Sequence, residues 1–267
     1  MHNATVADII NLMGELAPTE NTCDWDNSGL LVGEYNAPVK NVLVALDCTS
    51  ETVKYAISKK AQLIITHHPV IFRAIKNITD KSANGSRLIE LITHGVAVYS
   101  AHTNLDAADG GTNDTLFALL NLTEKENLIL DNLPLGRIGK PENEPVSLED
   151  FARFTAKALN TGGVSFVGNG EFLVKKIGIC TGSASEAKYM DAAKYFGCDT
   201  YLTGDVSYHE AQYAADIGLN LVTAPHFATE AVITNVLQKK LNERLKSENL
   251  DVKIYVQKNQ KDIFNYL

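Results

Sequence analysis

Residues 41–70 read NVLVALDCTSETVKYAISKKAQLIITHHPV. An apolar run, NVLVALD, precedes a helical stretch, SETVKYAISKK, and a second apolar run, AQLIIT, ends at His67 and His68. Strand, helix and strand in this order mark a βαβ unit, and βαβ units build parallel sheets. Working outward, a helix is predicted from Gly85 to His94. The strand VAVYSA then runs into His102, and another helix lies near Gly111 to Leu120. Upstream, Ala7 to Leu16 has helical apolar spacing that Pro18 stops. Histidines at strand ends matter because open α/β sheets bind ligands at the carboxyl ends of their strands.

The second half repeats the scheme. VKKIGICT and CDTYLTG read as strands around the helical SASEAKYMDAAKYFG, with Gly197 placed as its cap. The helix SYHEAQYAADIG, the strand LNLVTAP, an amphipathic helix from about 227 to 249 and a last strand, DVKIYVQ, follow. Residues 41–106 and 176–230 look like two versions of one plan. In each, the third strand ends in a histidine with a carboxylate four residues on, His102 with Asp106 and His226 with Glu230. The expected architecture is α/β, in two similar interlinked lobes, 1–124 and 125–267, with the C-terminal helix and strand packing back on the first. Residues 123–145, rich in Asn, Pro and Glu, are read as the connection between the lobes.

The 267 residues carry a net charge of −8, with a pI near 5.4. A nucleic-acid backbone or an anionic membrane surface demands clustered positive charge, so neither is expected as a partner. The run Lys239, Lys240, Arg244, Lys246 reads as a solvated helix face. Cys23, Cys48, Cys180 and Cys198 form no C-x-x-C pair, which points to buried, reduced thiols. The N-terminus lacks a basic stretch followed by an apolar segment, and no run approaches the ~20 apolar residues of a membrane span. A soluble cytoplasmic protein is expected, in which the Asn-x-Thr triplets at Asn77 and Asn121 are chance matches.

His67, His68, His102, His226, Asp106 and Glu230 are all good metal ligands at or just past strand ends. Positions four apart on a helix share a face. His226 and Glu230 therefore reach a common ion if a helix starts near Phe227, as do His102 and Asp106 if a helical turn follows their strand. Pro69 pushes His68 to extended backbone, where neighbouring side chains point to opposite sides; the doublet thus suggests two ions. Two-metal hydrolases hold their ions about 3.5–4 Å apart, commonly with a bridging carboxylate. Glu230 is the choice for the bridge and Asp106 for a terminal ligand. Imidazole and carboxylate donors suit two divalent transition-metal ions, Zn, Fe or Mn. An incomplete ligand set leaves open positions, which mean catalysis more often than structural support.

Other histidines read differently. A lone histidine at a strand end is more often structural, the standing alternative for His102. His94, before Gly95 at a helix end, is read as structural, and His2 as part of a tail. His209, just after Gly204-Asp205, is either a general acid or base or a solvated residue of a first helical turn.

The segments WDNSGLLVG (25–33), His67-His68-Pro69 with Phe72, AHTNLD (101–106), Thr203-Gly204-Asp205 and His226-x-Ala228-Thr229-Glu230 resemble the Nif-three-like proteins, also called GTP cyclohydrolase 1 type 2 homologues. The match runs in order over nearly the whole chain. The resemblance implies a two-lobed α/β fold with a dinuclear metal centre in the cleft, and a ring-shaped homohexamer built from dimers. It assigns His67, His68, Asp106, His226 and Glu230 as metal ligands, with His102 adjacent to them. Residues 123–145 are too few for the extra domain of longer members, which makes this the compact form. Pro225 stands where the family more often has Gly. The sequence offers no Walker loop or obvious basic cradle for a triphosphate.

The expected function is a metal-dependent hydrolase, metal-bound hydroxide attacking a phosphoester or ring C–N bond of a small molecule such as a nucleotide. His102 or His209 would move protons, and Asp26 would line the mouth. Two alternatives come from other classes. One is a metal-stabilised, ring-shaped scaffold or regulatory binding protein without turnover. The other is metal storage or delivery, which the lack of clustered soft Cys ligands disfavours.

Overall fold

The computed structural model describes residues 4–142, 145–258 and 260–266; His2 lies outside them. In chain order the elements are α1 (Val6–Leu16), β1 (Gly29–Val32), β2 (Asn41–Ala45), α2 (Ser50–Ser58), β3 (Leu63–Thr66), α3 (Ala83–Thr93), β4 (Ala97–Ser100), α4 (Thr103–Ala107) and α5 (Thr112–Leu119). Next come β5 (Leu122–Leu130), β6 (Leu133–Pro141), β7 (Val146–Ser147), α6 (Leu148–Ala158), β8 (Ser165–Val167), β9 (Leu173–Val174) and β10 (Ile177–Ile179). The chain continues with α7 (Ala187–Tyr195), β11 (Thr200–Thr203), α8 (Tyr208–Asp216), β12 (Asn220–Thr223), α9 (His226–Ala231), α10 (Ile233–Ser247) and β13 (Lys253–Val256). This is the mixed α/β fold expected. It divides into two compact units, Met1–Asp109 with Thr234–Gln260, and Gly110–Ile233 with Lys261–Leu267.

The first unit holds a sheet of order β1-β4-β3-β2-β13. Strands β13, β2, β3 and β4 are parallel, and β1 joins β4 antiparallel. Every residue of β3 and β4 is buried, as parallel strands covered on both faces require. Helix α1 starts at a capping box in which Thr5 and Asp8 satisfy each other's backbone amides. It buries Val6, Ile9, Leu12 and Met13 along one face. Ala45 pairs with Thr66, and Thr66 with Ser100. The three strands therefore end at one level, and Asp47, His68 and His102 each lie two residues past it.

The second unit's sheet has the order β5-β6-β10-β11-β12-β8. Here β10, β11 and β12 are parallel, with β8 antiparallel beside β12 as β1 is beside β4. The repeat seen in sequence is thus one of topology. Leu202 pairs with Ile179 and Val222, so Gly182, Asp205 and Pro225 fall at one level past the strand ends, and His226 comes next.

Residues 123–145 are not a bare connection. Most of them form the β5–β6 hairpin, antiparallel to β10 on its far side, while Asn143 and Glu144 lie outside the described residues. Leu128, Leu130, Leu135 and Ile138 are buried, while Glu124, Glu126 and Asn127, three of the residues that suggested a linker, lie on the exposed part of β5. The turn is Asp131-Asn132, between paired Leu130 and Leu133, with φ of 50° and 65°. Positive φ at both positions is the two-residue hairpin turn that favours Gly second. Asn132→Gly should therefore stabilise the protein by roughly 0.5–1 kcal/mol in urea unfolding; a loss of stability would contradict this account of the turn.

The helix expected from 227 to 249 is present as α9 and α10, with only Val232 between them. All four cysteines are buried, and none is in a disulfide. Burial pushes the Cys48 and Cys198 thiols up to about 12, which keeps them protonated and unreactive. No described helix is long and apolar enough to cross a membrane.

Candidate metal centre

In the first unit, β3 delivers His67 and His68 and β4 delivers His102. The three offer ligand atoms that all lie within 4.8 Å of one another. Each ring is held through Nδ1. His67 Nδ1 is 3.0 Å from the Ala101 carbonyl oxygen, His68 Nδ1 2.7 Å from Asp47 Oδ1, and His102 Nδ1 2.8 Å from Asp26 Oδ1. A carbonyl can only accept, so His67 Nδ1 carries a proton, and in the neutral ring Nε2 presents a lone pair. Carboxylates likewise hold a proton on Nδ1 of the other two rings. Metal-binding histidines are oriented in this way, by a carboxylate or carbonyl on the ring nitrogen away from the ion. Asp106, on the helical turn α4, brings Oδ1 to 3.6 Å from His67 Nε2. Two electron-rich atoms facing one space suit a shared cation.

Asp26 is the most tightly held of these anchors. Its carboxylate also accepts from Thr103 N and Oγ1, from Ser28 Oγ and from Asn27 N. Burial opposes its ionisation, but the hydrogen bonds from His102 and Thr103 and the His102 charge outweigh this and hold the carboxyl well below the usual range.

In the second unit, His226 opens α9 and Glu230 lies one turn on, the shared helix face expected from their spacing. His226 Nε2 is 2.9 Å from Glu230 Oε2, and His226 Nδ1 is 2.6 Å from Asp205 Oδ2. Asp205 adopts a left-handed φ of 50°, a conformation that Asp tolerates better than most residues. An imidazole between two carboxylates is balanced either by a second proton or by a cation in that proton's place. Glu230 is buried, and the backbone of Gly182 lies against it. A Cβ on Gly182 would come within 2.0 Å of Glu230 Oε1. Gly182 N donates to Thr229 Oγ1, which donates to the His226 carbonyl.

One expectation needs correcting. His67 and His68 do not continue β3 as alternating strand residues. The chain bends there, both amides pointing at the Leu46 carbonyl at 3.1 Å. Their rings lie 5.1 Å apart between centroids, on a common side. The doublet's stereochemistry therefore does not count the ions. His209 sits exposed in the first turn of α8, its Nδ1 3.1 Å from Gln212 Oε1 and its ring edge against Tyr208. His94 donates through Nδ1 to the Glu90 carbonyl at the end of α3.

The anchors Asp47, Asp205 and the Ala101 carbonyl were not assigned these roles from sequence. Two had a legible signal, since Asp47 ends the predicted strand NVLVALD and Asp205 directly follows the predicted strand CDTYLTG, just where a histidine from the next strand arrives. The carbonyl had none.

The fold and sequence have known relatives. The Duf34/NIF3 (NGG1p interacting factor 3) family matches residues 4–263. A Clostridium perfringens GTP cyclohydrolase 1 type 2 homolog is 35% identical over 266 residues, covering 97% of this chain and 98% of the relative. A Bacillus subtilis protein of the same name is 27% identical over 368 residues, covering 97% and 98%, and so carries residues inserted with respect to this chain. The crystal structure of a Bacillus cereus protein related to NIF3 superposes with a TM-score of 0.94 at 27% identity, covering 100% of both chains. On these grounds the chain belongs to the Duf34/NIF3 family.

Proposed function

We propose that this protein is a metal-dependent hydrolase that holds two divalent transition-metal ions, Zn, Fe or Mn, on His67, His68, Asp106, His226 and Glu230. The observation that carries this reading is the orientation of the histidines. His67, His68, His102 and His226 are each held at Nδ1 by a carboxylate or a carbonyl, which aims Nε2 at its neighbours. Such anchoring has little purpose for a solvated histidine and suits a ligand. Bound divalent ions would supply Lewis acidity and activate water for hydrolysis. The substrate class is a small phosphoester or a nucleotide-like molecule with a cleavable C–N bond. His102 is the better candidate to move a proton, because Asp26 holds its Nδ1 and fixes the ring in place; His209 is the second. The proposed setting is a cytoplasmic homohexamer.

Metal analysis with anomalous scattering tests the reading. Two ions per chain are expected, with at least one lost in His67→Ala and in Glu230→Ala. Affinity should fall as the pH is lowered, because protons compete for the same nitrogens and oxygens. Turnover on a panel of phosphoesters and nucleotides should disappear in the same variants. Metal-replete protein without any turnover would leave a scaffold or a metal carrier instead, and wild-type protein that takes up no ion would end the proposal.

A further inference from the structure

Beside the histidines of the first unit stand two large apolar side chains that the fold leaves in solvent. Trp25, the only tryptophan in the chain, is 54% exposed, and Phe72 is 46% exposed. Their rings meet edge to face at 6.2 Å between centroids, and the His102 ring lies 6.2 Å from Trp25 and 6.1 Å from Phe72. These positions are not loose. Asn27 Nδ2 donates to the Ile71 carbonyl at 2.5 Å, tying the loop that bears Trp25 to the loop that bears Phe72. Asp26, next to Trp25, is bonded to His102 and Thr103, and Cys23 N donates to Thr103 Oγ1. Two aromatic rings are thus held out of the core, in fixed positions, against a histidine of the candidate centre.

We propose that Trp25 and Phe72 bind a planar heteroaromatic ring of the substrate, such as the purine of a nucleotide, next to His102. The inference rests on the reading of this centre as a site for a small phosphoester or nucleotide, and names the part of the substrate that the metal ligands would not hold. Three features favour a ring over an aliphatic group. Aromatic faces and edges stack with any planar base. A rigid indole and phenyl lose little freedom on binding, so their exposed area converts to affinity. Their contact with His102 sets a bound ring within reach of the group proposed to move a proton.

The single tryptophan makes the test direct. Metal-loaded full-length protein is titrated with guanosine 5′-monophosphate, ribose 5-phosphate and butyl phosphate while Trp25 emission is followed. Calorimetry reads the same titrations in Phe72→Ala and Trp25→Ala, and metal content and molar mass are checked for each variant. The nucleotide should bind with quenching and far more tightly than the other two. Each alanine variant should weaken it roughly 5- to 150-fold and leave ribose 5-phosphate and metal content unchanged. Equal affinity for nucleotide and butyl phosphate would overturn the inference. So would variants that keep nucleotide affinity but change molar mass, since the rings would then serve contact between copies of the chain. Loss of the ring preference with two ions still bound would sink this inference alone, whereas wild-type protein that binds no metal would sink the underlying function.

Discussion

Gly182→Ala should weaken metal binding at His226 and Glu230 by at least about tenfold, while Gly218→Ala leaves it unchanged. The two glycines share a φ of +67°, so alanine at either pays the same left-handed backbone cost of about 1–2 kcal/mol. They differ in what the new methyl meets. At Gly218 nothing lies within 4 Å; at Gly182 the methyl would be 2.0 Å from Glu230 Oε1, 3.0 Å from its Cδ and 3.4 Å from His226 Nε2. A carboxylate at the end of a side chain can usually swing away. This one is buried, 3% exposed, and 2.9 Å from His226, so it moves only by giving up its place beside that ring. Metal content and urea unfolding of both variants check the argument. If Gly182→Ala matched Gly218→Ala in both, the close approach of Gly182 would have no role in shaping the site.

Asp114→Ala should cost about 3–5 kcal/mol, a fall in Tm of roughly 6–20 °C. The Arg137 side chain in β6 is fully buried; its Nε donates to Asp114, and its Nη1 to the carbonyls of Pro134 and Gly136. Removing the carboxylate takes away the charge that faces Arg137 Nε in the interior, the costly way to break a buried pair. The pH dependence follows from Asp114 itself. Burial raises its pKa, but hydrogen bonds from Lys125 and Gly110 N, with the charge and hydrogen bond of Arg137, lower it further and leave it below the usual value. A depressed carboxylate contributes its full stability above the unfolded value near 3.9 and loses it as the pH falls through the folded one. The gap between wild type and variant should therefore be constant near neutrality and narrow from about pH 4 downward. A cost under about 1 kcal/mol, with no narrowing in acid, would contradict the role given to the pair.

Most of the secondary structure could be read from periodicity because its elements bury one face or both. Continuous apolar runs such as LIIT announce β3, and the spacing of Val6, Ile9, Leu12 and Met13 announces α1. The β5–β6 hairpin was harder. Its turn is Asp131-Asn132 in place of the more telling Asn-Gly, and the exposed stretch of β5 carries Glu124, Glu126 and Asn127, residue types that read as a linker.

The candidate site divides along the same physical line. The pairing of His226 with Glu230 was legible because a helix fixes the relation between positions four apart, and chemical type marked His67, His68, His102 and Asp106 as candidate ligands. Sequence alone determined which residues could bind a metal and at which strand ends they stand. Only the tertiary structure decided how they are held. The level ending of β2, β3 and β4 sets Asp47 against His68, the loop before β1 carries Asp26 to His102, and the bend after Thr66 turns two adjacent histidines to one side. Those relations depend on strand register and loop closure across the chain, and no local spacing encodes them.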